Sequence, residues 1–295
     1  MSHADDLDMP AIVLAAYGSA EDRGLQTYQR VADFYSRAFP GSRIELSFSS
    51  SAIRRRLAAG GKNVPDPFTS LSHVHAEGWR NVVVQSLHLV PGGQFHHIAS
   101  LVRGLQGVKG RFGFEFLGLG LPLLSSQEDF SSVAFALAEH VRCISGISQD
   151  DASSAGLSCI GKSAAVLMGH GTNHPADSAY SHLAIHLSQV IKADVFLGTL
   201  EGYPGLSEVM GQLSACGASR VHLFPFLLVA GAHALLDMAG PAEDSWRSRF
   251  LSAGYQVDVH AVGLGEIDSF LEIFARHTRE ACGRSLVSTL RLQSD

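Results

Sequence analysis

Three residues with metal-binding side chains come just after apolar segments in the second half of the chain. His170 closely follows AAVLM, Glu201 follows DVFLGTL, and His233 follows VHLFPFLLVAGA. Two imidazoles and one carboxylate suit a divalent first-row metal and leave coordination positions open. Each residue alone also has a structural interpretation, either as a hydrogen-bonded histidine or as a glutamate near a helix start. The three together predict a metal-handling site.

The elements that position this site are predicted strands and helices in alternation. Short apolar runs alternate with longer amphipathic stretches, which indicates βαβ units and a mainly parallel sheet. The predicted strands are 11–17, 43–48, 82–90, 114–119, 164–168, 194–200, 220–229 and 257–262. The predicted helices are 27–39, 68–78, 127–144, 179–191, 206–216, 246–253 and 267–282. Ligands of open parallel sheets bind beyond the carboxyl ends of the strands, so His170, Glu201 and His233 can meet at one edge.

The two halves of the chain resemble each other. AIVLAAYGSA (11–20) parallels AAVLMGHGTN (164–173), with Tyr17 opposite His170. NVVVQSLHLVPGGQFHHI (81–98) parallels RVHLFPFLLVAGAHALLD (220–237), with Gly92 opposite Gly231 and Gln94 opposite His233. A two-copy duplication therefore predicts an α/β fold of two similar domains, each a mainly parallel sheet flanked by helices.

The expected domains are an N-terminal lobe, 1–144, and a C-terminal lobe, 164–295, that carries the metal site. Between them, residues 145–163 are rich in Gly, Ser, Asp and Ala, which is typical of a linker or surface insertion. The closing helix, 267–282, is a candidate to pack back on the first lobe.

Composition excludes several classes of function. The formal net charge of −6 argues against broad nucleic-acid binding. The four cysteines are far apart, which favours neither a disulfide framework nor a cysteine zinc site. No Walker lysine loop, GxGxxG or GxSxG occurs at a strand-to-helix turn, so no nucleotide cofactor is expected. Residues 1–10 lack the features of a signal peptide, and no apolar stretch is long enough for a membrane span. A cytoplasmic location is expected, and a homo-oligomer is left open.

A basic cluster, Arg54, Arg55 and Arg56, follows a run of serines that begins the segment SSSAIRRRL at Ser49. Guanidinium groups and hydroxyls suit a ligand with several carboxylates or phosphates. The alternative is an ordinary solvated helix face. The helical histidines are expected to be structural or surface residues; they are His73, His75, His140, His182, His186 and His277.

These motifs together resemble the class II chelatases of the anaerobic cobalamin pathway, the sirohydrochlorin cobaltochelatases, which are structurally related to ferrochelatases. The resemblance covers nearly the whole chain. The matching segments are SSSAIRRRL (49–57), VVVQSLHLVPGG (82–93), GLPLLSS (120–126), VLMGHG (166–171), LEGYP (200–204), LVAGAHALLDMAG (228–240) and DSWRSRF (244–250).

The resemblance implies that His170, Glu201 and His233 are both the metal-binding and the catalytic residues. It also implies a tetrapyrrole cleft between two lobes and an enzyme that inserts Co²⁺, as substrate metal, into sirohydrochlorin. The expected tetrapyrrole contacts are Arg54, Arg55, Arg56, Ser49, Gly92 and Gln94. The family often has an acidic residue where this chain has Gln94. Insertion of Fe²⁺ or Ni²⁺, or a non-enzymatic metal- or tetrapyrrole-binding role, stays open as an alternative.

Overall fold

The computed structural model describes residues 9–145, 162–191 and 193–292, with side chains up to residue 283 in the last helix. Most of the expected linker, 145–163, lies outside the described residues. The chain forms two compact units. The first unit is Met1–Leu123 with Leu271–Asp295, and the second is Leu124–Phe270.

The first unit contains one four-stranded parallel sheet. Its strands are β1 (Ala11–Ala16), β2 (Ile44–Phe48), β3 (Asn81–Ser86) and β4 (Phe116–Gly120), in the order β2-β1-β3-β4. Its helices are α1 (Asp22–Ala38), α2 (Ser51–Ala59), α3 (Pro67–Ala76) and α4 (Gly93–Gln106). Every residue of β1 is fully buried, because helices cover both faces of a parallel sheet of this type.

The second unit repeats this topology. Its strands are β5 (Ser163–Gly169), β6 (Val195–Thr199), β7 (Arg220–Phe226) and β8 (Gln256–Val259), in the order β6-β5-β7-β8. Its helices are α5 (Gln127–Ser145), α6 (Ser178–Val190), α7 (Leu206–Cys216) and α8 (Trp246–Ser252). The last helix, α9 (Asp268–Leu292), starts here and continues into the first unit. The predicted fold class, two similar parallel α/β domains, is confirmed.

The expected lobes, 1–144 and 164–295, stay a prediction, and the packing of two helices gives the units other limits. Helix α5 belongs to the second unit, where Phe130 stacks on His182 of α6. Helix α9 from Leu271 onward belongs to the first unit. There the Tyr35 hydroxyl donates to Thr278 Oγ1, which donates in turn to Gln85 Oε1. The division therefore follows side-chain packing and not the Gly/Ser-rich segment.

Some predicted elements have other lengths in the structure. The predicted strands 82–90 and 220–229 end earlier, at Ser86 and Phe226. The apolar residues after these ends, Leu87, Leu227 and Leu228, are buried in loops, so hydrophobicity overstates the strand length. Helix α9 reaches Leu292, beyond the predicted 282. None of the described helices is long and apolar enough to cross a membrane.

Candidate functional site

His170 and Glu201 are neighbours because β5 and β6 are adjacent parallel strands. Gly169, the last residue of β5, pairs with Thr199, the last residue of β6. Backbone pairing continues beyond the strands, since Glu201 N–H donates to His170 O at 2.9 Å. The two side chains then face each other, with His170 Nδ1 3.8 Å from Glu201 Oε2.

The loop that carries His170 and the loop that carries Glu201 can approach each other closely only because residue 171 is glycine. Gly171 has φ +77°, a left-handed conformation that other residues rarely adopt. A Cβ at this position would lie 2.6 Å from the backbone nitrogen of Gly202. The glycine therefore allows the loop with His170 to lie directly against the loop with Glu201.

Asp177 connects the same two loops. Its Oδ1 accepts the backbone N–H of Thr172 at 3.0 Å, and its Oδ2 accepts that of Tyr203 at 2.8 Å. A Cβ on Gly202 would lie 2.1 Å from Asp177 Oδ1, so the carboxylate needs a glycine beside it. One half-buried carboxylate thus stabilises the segments that follow β5 and β6.

His233 reaches the same edge of the sheet from β7, which is the other neighbour of β5. It directly precedes a short π-helix, Ala234–Met238. Its ring is perpendicular to that of His170, with 4.7 Å between the ring centroids. The side chains of His170, Glu201 and His233 are 40%, 57% and 49% exposed, so solvent and ligands can reach all three.

Hydrogen bonds orient both imidazoles through Nδ1. His233 Nδ1 is 2.6 Å from Asp237 Oδ2, and His170 Nδ1 is 3.1 Å from Gly171 O. Since both partners are acceptors, Nδ1 carries the proton in each neutral ring and Nε2 keeps its lone pair. This arrangement is the usual one for a metal-binding histidine backed by a carboxylate or carbonyl. Both rings can therefore offer Nε2 to a ligand.

The three side chains lie together without forming a closed ligand set. Among the described residues, no group of three or more His, Cys, Asp or Glu is already arranged to hold a metal ion. The trio is an open arrangement of two oriented imidazoles and a nearby carboxylate. Such a site can bind a metal with several coordination positions left for another molecule.

Replacing Asp237 by asparagine is expected to weaken divalent-metal binding at this site by about 10–100-fold, because His233 loses its carboxylate partner. Titration of the purified variant with a first-row divalent metal measures the effect. Asp244→Asn, an exposed aspartate of the following loop, is the control. Equal affinities of D237N and wild type would show that the 2.6 Å contact does not orient the histidine for binding.

The first unit presents different side chains at the equivalent strand ends. Ser50 N–H donates to Tyr17 O, which repeats the bond of Glu201 to His170. Tyr17 and Ser50 therefore occupy the positions of His170 and Glu201. Ser50 Oγ accepts from Ile53 N–H and caps α2. The described residues at this edge thus lack the imidazole–carboxylate pair of the second unit.

Ser49, Gly92 and Gln94 lie at the same edge of the first sheet. Ser49 Oγ donates to Gln94 Oε1 at 3.2 Å. This hydrogen bond connects the segment after β2 to the first turn of α4. Gly92 is the residue before the first turn of α4. Polar side chains and helix N–H groups are suited to acidic ligands.

The three arginines of α2 differ in their surroundings. Arg54 is half-buried, and its Nη1 lies 3.4 Å from Asp66 Oδ2. Arg56 is exposed and pairs with Glu21 at 3.0 Å. Arg55 is also exposed and forms no ion pair with the residues that the structure describes. Arg55 is therefore the arginine most available to a ligand.

His88 is half-buried in the loop that follows β3. Its Nδ1 is 2.9 Å from Ser86 Oγ, and its buried Nε2 has no hydrogen-bond partner among the described residues. Burial lowers the pKa of His88 to about 4, so the ring is neutral near pH 7. His96 and His97 are exposed on the first turn of α4.

The sequence-based interpretation missed Asp237 and Asp177. The spacing of His233 and Asp237, four residues apart in HALLD, is a signal that could have found the first. No local pattern indicates the second, because its partners Thr172 and Tyr203 come together only in the folded unit.

Comparisons with known proteins give one consistent result. The family model described as cobalt chelatase (CbiK) matches residues 10–283. The sirohydrochlorin cobaltochelatase CbiKC of Nitratidesulfovibrio vulgaris is 33% identical over 270 residues, which cover 92% of this chain and 89% of that protein. The sirohydrochlorin cobaltochelatase of Salmonella typhimurium is 32% identical over 236 residues, which cover 80% of this chain and 81% of that protein.

The solved structures agree on the fold. The structure of SirB from Bacillus subtilis with Fe³⁺ has a TM-score of 0.62 and 16% identity, and the alignment covers 94% of this chain and 96% of SirB. At this identity the likeness supports the two-unit fold alone.

Proposed function

We propose that this chain, which belongs to the cobalt chelatase (CbiK) family, inserts Co²⁺ into sirohydrochlorin. The observation that carries the site assignment is the pair of perpendicular imidazoles, His170 and His233, 4.7 Å apart with Glu201 beside them. Both matched relatives are named for this activity. Co²⁺ and the tetrapyrrole are both substrates.

His170, Glu201 and His233 bind the incoming Co²⁺ in this proposal. Imidazole nitrogens and a carboxylate suit Co²⁺, while the absence of thiolates from the trio keeps the metal exchangeable. The free Nε2 atoms of the two histidines supply the nitrogen donors. Glu201 offsets part of the positive charge of the metal. Since all three side chains are about half exposed, the bound metal can be passed to a second ligand.

Insertion exchanges two pyrrole N–H protons for the metal dication. The site therefore needs a base near the ring as well as a metal at its face. A neutral imidazole has one nitrogen lone pair with which it can accept a proton. One of the two imidazoles accepts the first pyrrole proton at Nε2 once that atom has released the metal, and the second pyrrole proton passes to water. Asp237 and Gly171 O keep the two rings oriented through this exchange.

The polar edge of the first unit is proposed to bind the carboxylates around the rim of sirohydrochlorin. Arg54, Arg55 and Arg56 supply positive charge on α2. Ser49, Gln94 and the backbone at Gly92 supply hydrogen-bonding groups nearby on the same sheet edge. Gln94 is neutral, so it does not repel an acidic substrate as a carboxylate would.

Arg55→Ala is expected to raise the KM for sirohydrochlorin by roughly threefold to fivefold, with little change in kcat. The reason is that the variant loses one exposed charge pair, which contributes up to about 1 kcal/mol to binding. Steady-state insertion at saturating Co²⁺ measures both constants. Arg37→Ala, which removes an exposed arginine from the last turn of α1, is the matched control. An unchanged KM in R55A would show that Arg55 does not bind the substrate and that this face of α2 is an ordinary solvated surface.

A turnover assay with Co²⁺ and Fe²⁺ tests the function itself. Purified protein is mixed with a molar excess of sirohydrochlorin, and the tetrapyrrole absorbance is followed for each metal. Multiple turnovers with Co²⁺ support the proposed cobaltochelatase. A clear preference for Fe²⁺ would identify a ferrochelatase, and stoichiometric binding without turnover would identify a binding protein.

A further inference from the structure

Two histidines on α6 form a pair that the proposed function does not use. His182 and His186 are four residues apart, and their Nε2 atoms lie 3.2 Å from each other. Among the described helices, no other two histidines have this spacing. The sequence-based interpretation treated both as structural or surface residues. Two histidines at i and i+4 on one helix face are a well-known chelating pair for divalent metals.

The distance between the two nitrogens fits coordination of one ion. With metal–nitrogen bonds of about 2.0–2.1 Å, two donors 3.2 Å apart subtend an angle of roughly 100° at the metal. This angle lies between those of octahedral and tetrahedral sites. Both rings can therefore bind the same ion with little movement.

A third polar group reaches the pair from α5. The side-chain amide nitrogen of Gln127 is 3.0 Å from His186 Nε2. Rotation of the amide by half a turn exchanges its nitrogen and oxygen with almost no change in shape. The carboxamide oxygen would then lie beside His186 Nε2, within reach of an ion bound to that imidazole.

Packing against α5 holds the two rings in place, and only His182 is open to solvent. Phe130 of α5 stacks on His182 with 4.2 Å between ring centroids, and it lies 5.8 Å from His186. His186 is only 9% exposed, whereas His182 is exposed. The pair is thus positioned before any ligand binds, which lowers the entropic cost of binding.

We propose that His182, His186 and Gln127 form a second divalent-metal site, on the α5–α6 face of the second unit. The donor set of two imidazoles and one carboxamide selects borderline first-row ions such as Co²⁺, Ni²⁺ and Zn²⁺ over Mg²⁺ and Ca²⁺. The site is separate from the trio at the strand ends, since none of its residues takes part there. It rests on the α5–α6 geometry and does not depend on the proposed function.

Co²⁺ binding by the untagged protein without tetrapyrrole tests the proposal. Isothermal titration gives the number of bound equivalents, and the visible absorption of Co²⁺ reports its ligands. His182→Ala is expected to bind one equivalent less than wild type and to retain insertion at saturating Co²⁺. Gln127→Ala is expected to keep that equivalent with an affinity lowered by roughly 10-fold, since one of its three ligands is lost.

Two further variants separate this site from the strand-end trio. The double variant with His170→Ala and His233→Ala is expected to lose insertion while it retains the equivalent that H182A loses. His73→Ala removes an exposed helical histidine of the first unit and is expected to match wild type. If H182A binds as many equivalents as wild type with unchanged affinity, the pair is only a hydrogen-bonded contact and the proposal is wrong. Since His182 stacks on the buried Phe130, thermal unfolding of H182A checks that the fold is intact.

Discussion

His233→Ala is expected to lower the rate of Co²⁺ insertion by about 10²–10⁴-fold, the range for loss of a group that transfers a proton in the rate-limiting step. His233 is also proposed as a metal ligand, not as a contact for sirohydrochlorin. The insertion rate is therefore expected to stay low when sirohydrochlorin is saturating. His170→Ala is expected to have an effect of the same order, because the two rings face one open site. The absorbance change of the tetrapyrrole on metal insertion gives the rate.

His73→Ala serves as the control for removal of an exposed histidine in this assay too. Thermal unfolding of each variant checks that the fold is intact, since both site histidines are about half exposed and are not part of the core. An insertion rate within threefold of wild type in both H170A and H233A would refute the site assignment. The family membership would stand in that case, and another edge of the fold would have to hold the metal.

Asp177→Ala is expected to lower the insertion rate by about 10–100-fold, although Asp177 is not proposed to touch either substrate. Its carboxylate accepts the N–H groups of Thr172 and Tyr203, which lie in the loops that carry His170 and Glu201. Hydrogen bonds to a charged acceptor stabilise by about 1.5–3 kcal/mol each. Their loss frees the two loops, and a displacement near 1 Å at a reacting group can cost about 10²-fold in rate.

Two companion variants test whether Asp177 acts by position. Asp177→Asn keeps one acceptor oxygen and is expected to fall between wild type and D177A. Gly202→Ala places a methyl group against the carboxylate and is expected to reproduce the defect with Asp177 still present. Asp194→Asn, which alters a surface pair with Lys162 in the same unit, is the control. D177A could instead unfold at a lower temperature and still insert Co²⁺ at the normal rate below that temperature. This result would contradict a positioning role for Asp177.

The alternation of apolar and amphipathic segments predicted the eight strands that the structure describes and the repeat of two α/β units. This worked because buried parallel strands must be apolar along their whole length, whereas the covering helices are apolar on one face only. The same signal overstated β3 and β7, because buried loops are as apolar as the strands that they follow. Hydrophobicity reports burial, and hydrogen bonding decides where a strand ends.

The expected unit boundaries followed composition, and the structure divides the chain elsewhere. The Gly/Ser-rich segment after α5 predicted a border there, whereas α5 packs on α6. Helix α9 packs into the first unit, for which the sequence offered the closing helix only as a candidate. The Tyr35–Thr278 hydrogen bond joins residues 243 positions apart. No local pattern can report such a contact, because it depends on where α9 lies in three dimensions.

The sequence by itself determined the types of the site residues, their places after strands and the resemblance to the cobalt chelatases. Parallel strands bring their carboxyl ends to one edge, so His170, Glu201 and His233 were predictable as neighbours. Only the tertiary structure showed that Asp237 and Asp177 orient the site, and that the Nε2 atoms of His182 and His186 lie 3.2 Å apart. Residue types follow from the sequence, but the direction of a side chain depends on the hydrogen bonds and packing around it.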